Sequence, residues 1–426
     1  MTAIVGILNK HGIAVAADSA ETIGRGVKIY NKANKIFNLS KYHPIGAAVY
    51  GSANFANLTP WDIIFKLYRE NLKKNFFPKL ENYTTDFLEY IIKNSFFADS
   101  KELEAEFNNQ VKAYYSEYVI QNRIGNGKKQ CDYKLEQLIP VLEDIKKTFS
   151  SFEPIDSLKD ITEEQFCNYI QEAISYIKAE LTKKKLDYNS IEKLLNETLY
   201  LSFTRKENLH SYSGVAIFGY GDNEIYPSIQ RLKIYGAVCG KLKWYIEEIC
   251  EVTNKCNAVI VPMAQSDVMM TMLKGIEPKL QQSILNLAAQ LIQENVKQIA
   301  TTIEKSDQKL ADDISKINIQ PTINLFNQNI DNLINVNHVS PLITTIGTLQ
   351  KEDLAEVAEN LIYLTSLIRR ITPDQESVGG PIDVALLSKG DGFVWIKRKH
   401  YFEESLNKHY NGKYFTDSHK KEGDDE

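Results

Sequence analysis

The stretch MTAIVGILNKHGIAVAADSA, residues 1–20, decides how the rest of the chain is read. Two short runs of β-branched and small apolar residues, 2–8 and 13–19, flank Asn-Lys-His-Gly at 9–12. Gly12 is a turn signal, so the stretch predicts two strands joined by a tight connection. The first strand opens on Thr2, directly behind Met1. A β-branched residue at a strand start is ordinary structure. A threonine that becomes the first residue of a chain is also a nucleophile carrying its own amine.

Working outward, NKIFNLS (34–40) and IGAAVYGS (45–52) repeat the strand pattern, so residues 2–56 read as β. A helix is predicted from LTPWDIIFKLYRENL (58–72), with Thr59 as cap and Pro60 in its first turn. Trp61, Ile64, Leu67 and Tyr68 fall at helical spacing there. Helical signal then dominates to about residue 208, with a single long amphipathic run over 86–122 and further runs over 135–149 and 163–186. Strands return at 211–236, with a turn at GYGDN. Helices are predicted over 266–304 and 352–371, while the Asn/Ile-rich stretch 317–348 fits no single element. A final hairpin spans 381–398 and turns at KGDG, and the tail ends in DSHKKEGDDE. Strand runs separated by helix runs indicate an α+β protein rather than an alternating parallel α/β fold.

The 426 residues are 43% apolar and 25% charged, which suits a globular protein with a large core. Fifty basic residues against 55 acidic ones leave a net charge of −5, which makes no electrostatic case for nucleic acid or an anionic membrane. The five cysteines form no CxxC pair and read as reduced, buried thiols. No basic region precedes an apolar run, and no apolar stretch is long enough to span a bilayer, so a cytoplasmic protein is expected. The seven histidines form no HExxH pair, and IGNGKKQ lacks the spacing of a phosphate-binding loop. Neither a metal nor a cofactor is expected.

Several motifs occur in a telling order. Thr2, Val5–Gly6, AADS ending at Asp18–Ser19, NKIF with Lys35, and YGS with Gly51 follow one another. Near the other end, TPDQESVGGPIDVALLSKGDG carries Asp374 three residues before Ser377, then a glycine pair. Together they resemble the proteasome β-subunit and HslV family of N-terminal nucleophile hydrolases. The resemblance covers roughly 2–56, 211–262 and 350–398. It implies a four-layer αββα sandwich. The core would comprise 1–56, 209–262 and 350–403, with a helical insertion over 57–208, an expanded helical region over 263–349 and a charged tail over 404–426.

The chemistry follows from the nucleophile. A threonine hydroxyl needs a base, and a free α-amine, with a pKa of about 7.7–8.0, supplies one. Removal of Met1 would expose it. By the resemblance, Lys35 holds that amine neutral, Asp18 pairs with Lys35, the Gly51 N–H serves the oxyanion, and Asp374 and Ser377 tune the proton. Ala20, Ala33 and Val49 would line the substrate pocket. The family also uses a supporting serine near the end of the second hairpin. The matching stretch IYGAVCGKLKW (234–244) offers Gly236 and Cys239 but no serine.

The expected activity is cleavage of amide bonds in a peptide or protein substrate, by a threonine peptidase. A homo-oligomer is expected, with any ATPase or regulatory partner on a separate chain. A non-peptidase amidase on the same scaffold, or a catalytically silent scaffold, is the alternative.

Overall fold

The computed structural model describes residues 2–23, 28–73, 75–94, 100–128, 132–206, 211–372, 378–400, 402–403 and 406–407. Two five-stranded sheets carry the architecture, and every pairing in them is antiparallel. The first contains β1 (Ala3–Asn9), β2 (Gly12–Ala17), β12 (Ala258–Ala264), β13 (Asp383–Ser388) and β14 (Gly392–Lys397), in the order β12-β1-β2-β13-β14. The second contains β5 (Ile36–Asn38), β6 (Ile45–Gly51), β9 (Ser213–Gly219), β10 (Ser228–Val238) and β11 (Lys241–Glu251), in the order β11-β10-β9-β6-β5. Two small ribbons, β3 (Glu21–Ile23) with β4 (Lys28–Tyr30) and β7 (Asn54–Phe55) with β8 (Thr59–Pro60), complete the strands.

Strands β1 and β2 are buried at every position. Their sequences explain this, since both faces are apolar, as in a strand covered on two sides. Ile4, Leu8, Ile13 and Val15 pack with Ala48, Ala216 and Phe218 of the second sheet. Val5, Ile7, Ala14 and Ala16 face the other way, onto Leu354, Ala358 and Ile362. These belong to α13 (Lys351–Ile371), whose apolar stripe recurs at helical spacing. The far face of the second sheet offers Ala47, Val49, Val215 and Ile217 to α1 (Trp61–Leu72) and α2 (Leu80–Lys93). Trp61 anchors that contact, stacking on Phe65 and donating from its indole N–H to Ser213 Oγ at 2.8 Å. The chain is thus a mixed α+β protein built on antiparallel sheets.

The segment α3 (Ser100–Ala113), α4 (Leu135–Ser150), α5 (Glu163–Tyr169), α6 (Gln171–Lys183) and α7 (Glu192–Thr204) has its own apolar core around Phe107, Leu142, Phe166 and Phe203. Val238, at the tip of the β10–β11 hairpin, inserts into it. Between the sheets' return strands lie α8 (Asp267–Lys274), α9 (Pro278–Glu304), α10 (Gln308–Ser315), α11 (Gln320–Ile334) and α12 (Ser340–Ile346). No helix among the described residues is long and apolar enough to cross a membrane.

Local differences from the expected elements have local causes. The run 86–122 is not one helix. Asn94 leaves helical geometry and its side chain donates to the Tyr90 carbonyl at 2.7 Å, which ends α2. Helix α3 then passes into a wider π-helical stretch, Tyr114–Ile124. The first helix starts at Trp61 without a side-chain cap, because Thr59–Pro60 pairs with Asn54–Phe55 instead. Most of the stretch 317–348 is helical, as α11, a π-helical turn at Asn335–Val339 and α12.

Gly214 marks a close approach between chains of the second sheet. A Cβ there would lie 2.1 Å from the Tyr50 ring, which lies across it. Gly214→Ala is expected to destabilise the fold by about 1–3 kcal/mol through overpacking, read as a lower Tm beside wild type. An unchanged Tm would show that the ring moves freely.

Candidate active site

The site is built where β1 begins and β2 ends, because their antiparallel register sets Ile4 opposite Ala17. Asp18 follows β2 directly, so its carboxylate lies beside the start of β1. Its Oδ1 accepts the Ala3 backbone N–H at 2.8 Å and the Lys35 ammonium at 2.6 Å. Its Oδ2 accepts the backbone N–H groups of Ala20 at 3.0 Å and Gly379 at 3.1 Å. With 1% of its surface exposed, Asp18 is a buried carboxylate surrounded by donors. Both of its oxygens are thereby satisfied by hydrogen bonds.

Lys35 immediately precedes β5 and is 5% exposed. Besides Asp18, its Nζ donates to the Ala20 carbonyl at 2.6 Å. Burial pushes its pKa below the ordinary lysine value; the charge and hydrogen bond of Asp18 oppose that shift, and the charge of Lys399 adds to it. The Lys35 carbonyl accepts the Val49 N–H at 2.9 Å, which ties the lysine to β6 two residues before Gly51.

Gly51 ends β6 with φ +75°, and a Cβ there would fall 2.5 Å from the Tyr212 carbonyl oxygen. Only glycine fits that geometry without strain. Thr2 precedes β1 and is partly buried. Its carbonyl accepts the Gln265 N–H at 3.0 Å. The structure therefore bonds Asp18 to Lys35 and to Ala3, the residue after Thr2, and ties the strand that ends in Gly51 to Lys35. Asp374 and Ser377 lie outside the described residues. The described loop just beyond them is anchored to the site. Gly379 donates to Asp18, its carbonyl accepts the Ser19 N–H at 3.1 Å, and Ser19 Oγ donates to the Pro381 carbonyl at 2.5 Å.

Of the residues expected to line a pocket, Ala20 is 1% and Val49 6% exposed, while Ala33 is partly buried and donates to the Ser19 carbonyl at 3.1 Å. Val49 packs in the cluster that holds Trp61 and Phe65.

The stretch 234–244 lies in the second sheet, while Thr2 precedes β1 of the first. That stretch is the β10–β11 hairpin, turning at Cys239 and Gly240 with φ of 51° and 73°. Its tip packs toward the helical segment, where Cys239 Sγ lies 3.7 Å from the Gln165 carbonyl. The strand beside β1 is β12, with Ala264 opposite Ala3. Beyond it come Gln265, bonded to Thr2, and Ser266, which precedes α8. The sequence signal was present: Ser-Asp in front of a helical run is a helix-start pattern. Among the described residues, no group of three or more His, Cys, Asp or Glu side chains could hold a metal ion.

No protein-family model and no curated protein matches the chain. Similar solved structures include an Anbu Gly-1 mutant from Hyphomicrobium sp. strain MC1, at 9% identity and a TM-score of 0.29, covering 97% of this chain and 93% of that one. The helical assembly of the Anbu complex from Pseudomonas aeruginosa is 8% identical with a TM-score of 0.32, over 97% and 94% of the two chains. Anbu (ancestral beta-subunit) from Yersinia bercovieri is 10% identical with a TM-score of 0.27, over 97% and 94%. The kinship drawn from the motifs is corrected by these names. The structures are ancestral beta-subunit proteins, a distinct proteasome-like family, and nothing specific to HslV is found. At such low TM-scores, what the site does must be argued from its own geometry.

Breaking the central ion pair tests that geometry. Asp18→Asn leaves the Lys35 ammonium buried without its counter-charge, and a loss of about 3–5 kcal/mol in denaturant unfolding is expected. Adding Lys35→Met should recover part of the loss. No loss in the single variant would mean that the pair contributes little.

Proposed function

We propose that this protein is a threonine hydrolase of the N-terminal nucleophile type, acting on amide bonds. The observation that carries the proposal is the Asp18 carboxylate, which binds both the N–H of the residue after Thr2 and the Lys35 ammonium. It holds a candidate nucleophile and a buried cation in one frame. With Met1 removed, Thr2 Oγ attacks the substrate carbonyl carbon and its proton passes to the Thr2 α-amine. The oxyanion is held by the Gly51 N–H. Collapse breaks the C–N bond, and the departing amine takes the proton from the α-ammonium. Water then hydrolyses the Thr2 ester, with the α-amine again as base.

Lys35, as a cation, keeps the α-amine neutral near pH 7. Asp374 and Ser377 are proposed to bond near the amine, and Ser266 to take the place of the supporting serine. Ala20, Ala33 and Val49 would border a small apolar substrate side chain. In this reading the helix-covered sheets form the four-layer sandwich of such hydrolases. Its parts are 1–56, 209–262 and 350–403, with 57–208 and 263–349 as additions.

One feature favours a small amide substrate over an unfolded protein. The loop after Gly51 is bridged to the helical segment, where Asn57 donates to Glu106 at 2.7 Å, and Gln110 borders the crevice beside Ser52. The helical segment therefore crowds the approach to Gly51. Self-association is also proposed, on the side of α9. Leu280, Ile284, Leu287 and Leu291 form an exposed stripe at four- and three-residue spacing, 40–56% exposed. That spacing suits packing against a second helix.

Two measurements test the hydrolase. Intact mass is expected to show Met1 removed, and a threonine-directed β-lactone to add once to wild type and not at all to Thr2→Ala. A Met-free protein that forms no adduct would sink the proposal. Ser266→Ala is expected to slow acylation about 10-fold or more, as for loss of a positioned proton-transfer group; an unchanged rate would remove Ser266 from the mechanism.

A further inference from the structure

A second carboxylate–lysine pair lies beside the first. Asp383 opens β13 opposite Ala17, the residue that precedes Asp18. Its Oδ1 accepts the Lys399 backbone N–H at 2.8 Å, and its Oδ2 pairs with the Lys399 ammonium. The two side chains are 5% and 10% exposed. Lys399 lies two residues past β14, whose register sets Lys397 opposite Val384, so the pair closes the open end of the last hairpin. The two pairs thus sit on neighbouring strand ends, with Asp18 after β2 and Asp383 at the start of β13.

Burying a lysine and a carboxylate costs desolvation that apolar residues would avoid. Closing the last hairpin would not need charge. The Thr2 site would: three further charges act on Lys35, with Asp18 and Glu21 favouring its protonated form and Lys399 opposing it.

We propose that Asp383 and Lys399 are positioning residues for the Thr2 site, holding a fixed second cation where it sets how tightly Lys35 and the neighbouring α-amine keep their protons. The chemical consequence rests on the hydrolase reading above; the electrostatic link between the two pairs does not. Lys399 loosens the Lys35 proton, and Asp383 limits that effect by neutralising Lys399.

The signs follow. Lys399→Met removes a like charge and leaves Asp383 unpaired, so the Lys35 midpoint rises. Asp383→Asn leaves Lys399 unneutralised, so the midpoint falls. The double variant removes both charges and returns near wild type. Lys399→Arg keeps the pair and the wild-type midpoint.

The measurement is NMR titration of protein labelled with carbon-13 at lysine Cε. The Lys35 signal is identified by its loss in Lys35→Arg. Opposite shifts in the two single variants are the expected result. A merely structural role would leave the midpoint in place or move it the same way in both, and either result overturns the inference. If one single variant does not fold, the double variant decides. A midpoint still displaced as far as in the folded single variant overturns the inference, and a return to wild type supports it. The pH dependence of β-lactone acylation is read alongside, its acid limb moving with the midpoint. If Lys35 shifts as expected while wild type forms no Thr2 adduct, the hydrolase reading fails and the electrostatic link stands.

Discussion

One buried carboxylate joins the first strand to the loop before the last hairpin. Asp18 accepts from Ala3 at the first strand, from Ala20 in its own corner, from Lys35 before β5, and from Gly379 in front of β13. The last of these spans 361 residues of sequence. A carboxylate out of water is costly unless its oxygens are satisfied, and here both are, by three backbone N–H groups and an ammonium. Removing any one donor leaves the charge less well compensated. The start of the chain, the second sheet's edge and the loop before the last hairpin are therefore held to one point.

The sheets supply the rigidity that this point requires. β1 and β2 are covered on both faces, so neither can slide without moving apolar side chains of two clusters at once. That register fixes the Asp18 carboxylate beside the Ala3 N–H. The same two-sided burial explains why the site lies at the sheet ends, since the strand middles offer no exposed backbone or side chain. Lys35 and Lys399 enter from the ends as well, each beside a carboxylate that begins or follows a strand.

Much of this was legible in the residues. The alternation of strand and helix runs, the turns at Gly12 and at KGDG, and the apolar stripe of α13 follow from local periodicity and turn chemistry, and the structure contains each. Two kinds of feature were not legible. One was the break between α2 and α3, which depends on how Asn94 bonds back to Tyr90 within an otherwise helical pattern. The other was strand neighbourhood. Nothing local distinguishes a chain in which β11 lies beside β1 from one in which β12 does, and that choice puts Gln265 rather than 234–244 beside Thr2.

By itself, the sequence determined that this is an α+β chain whose first strand directly follows a threonine, with an aspartate, a lysine and a glycine in order behind it. Those are properties of neighbours along the chain, set by backbone preferences and apolar spacing. Only the tertiary structure decided that Gly379 shares a carboxylate with Ala3, that Gln265 adjoins Thr2, and that Asp383 and Lys399 form a second pair at the same edge. The first two join residues hundreds of positions apart, and the third closes the last hairpin across 16. They are set by strand register and by the demand that every buried charge find its partner, and neither is written in any short stretch of sequence.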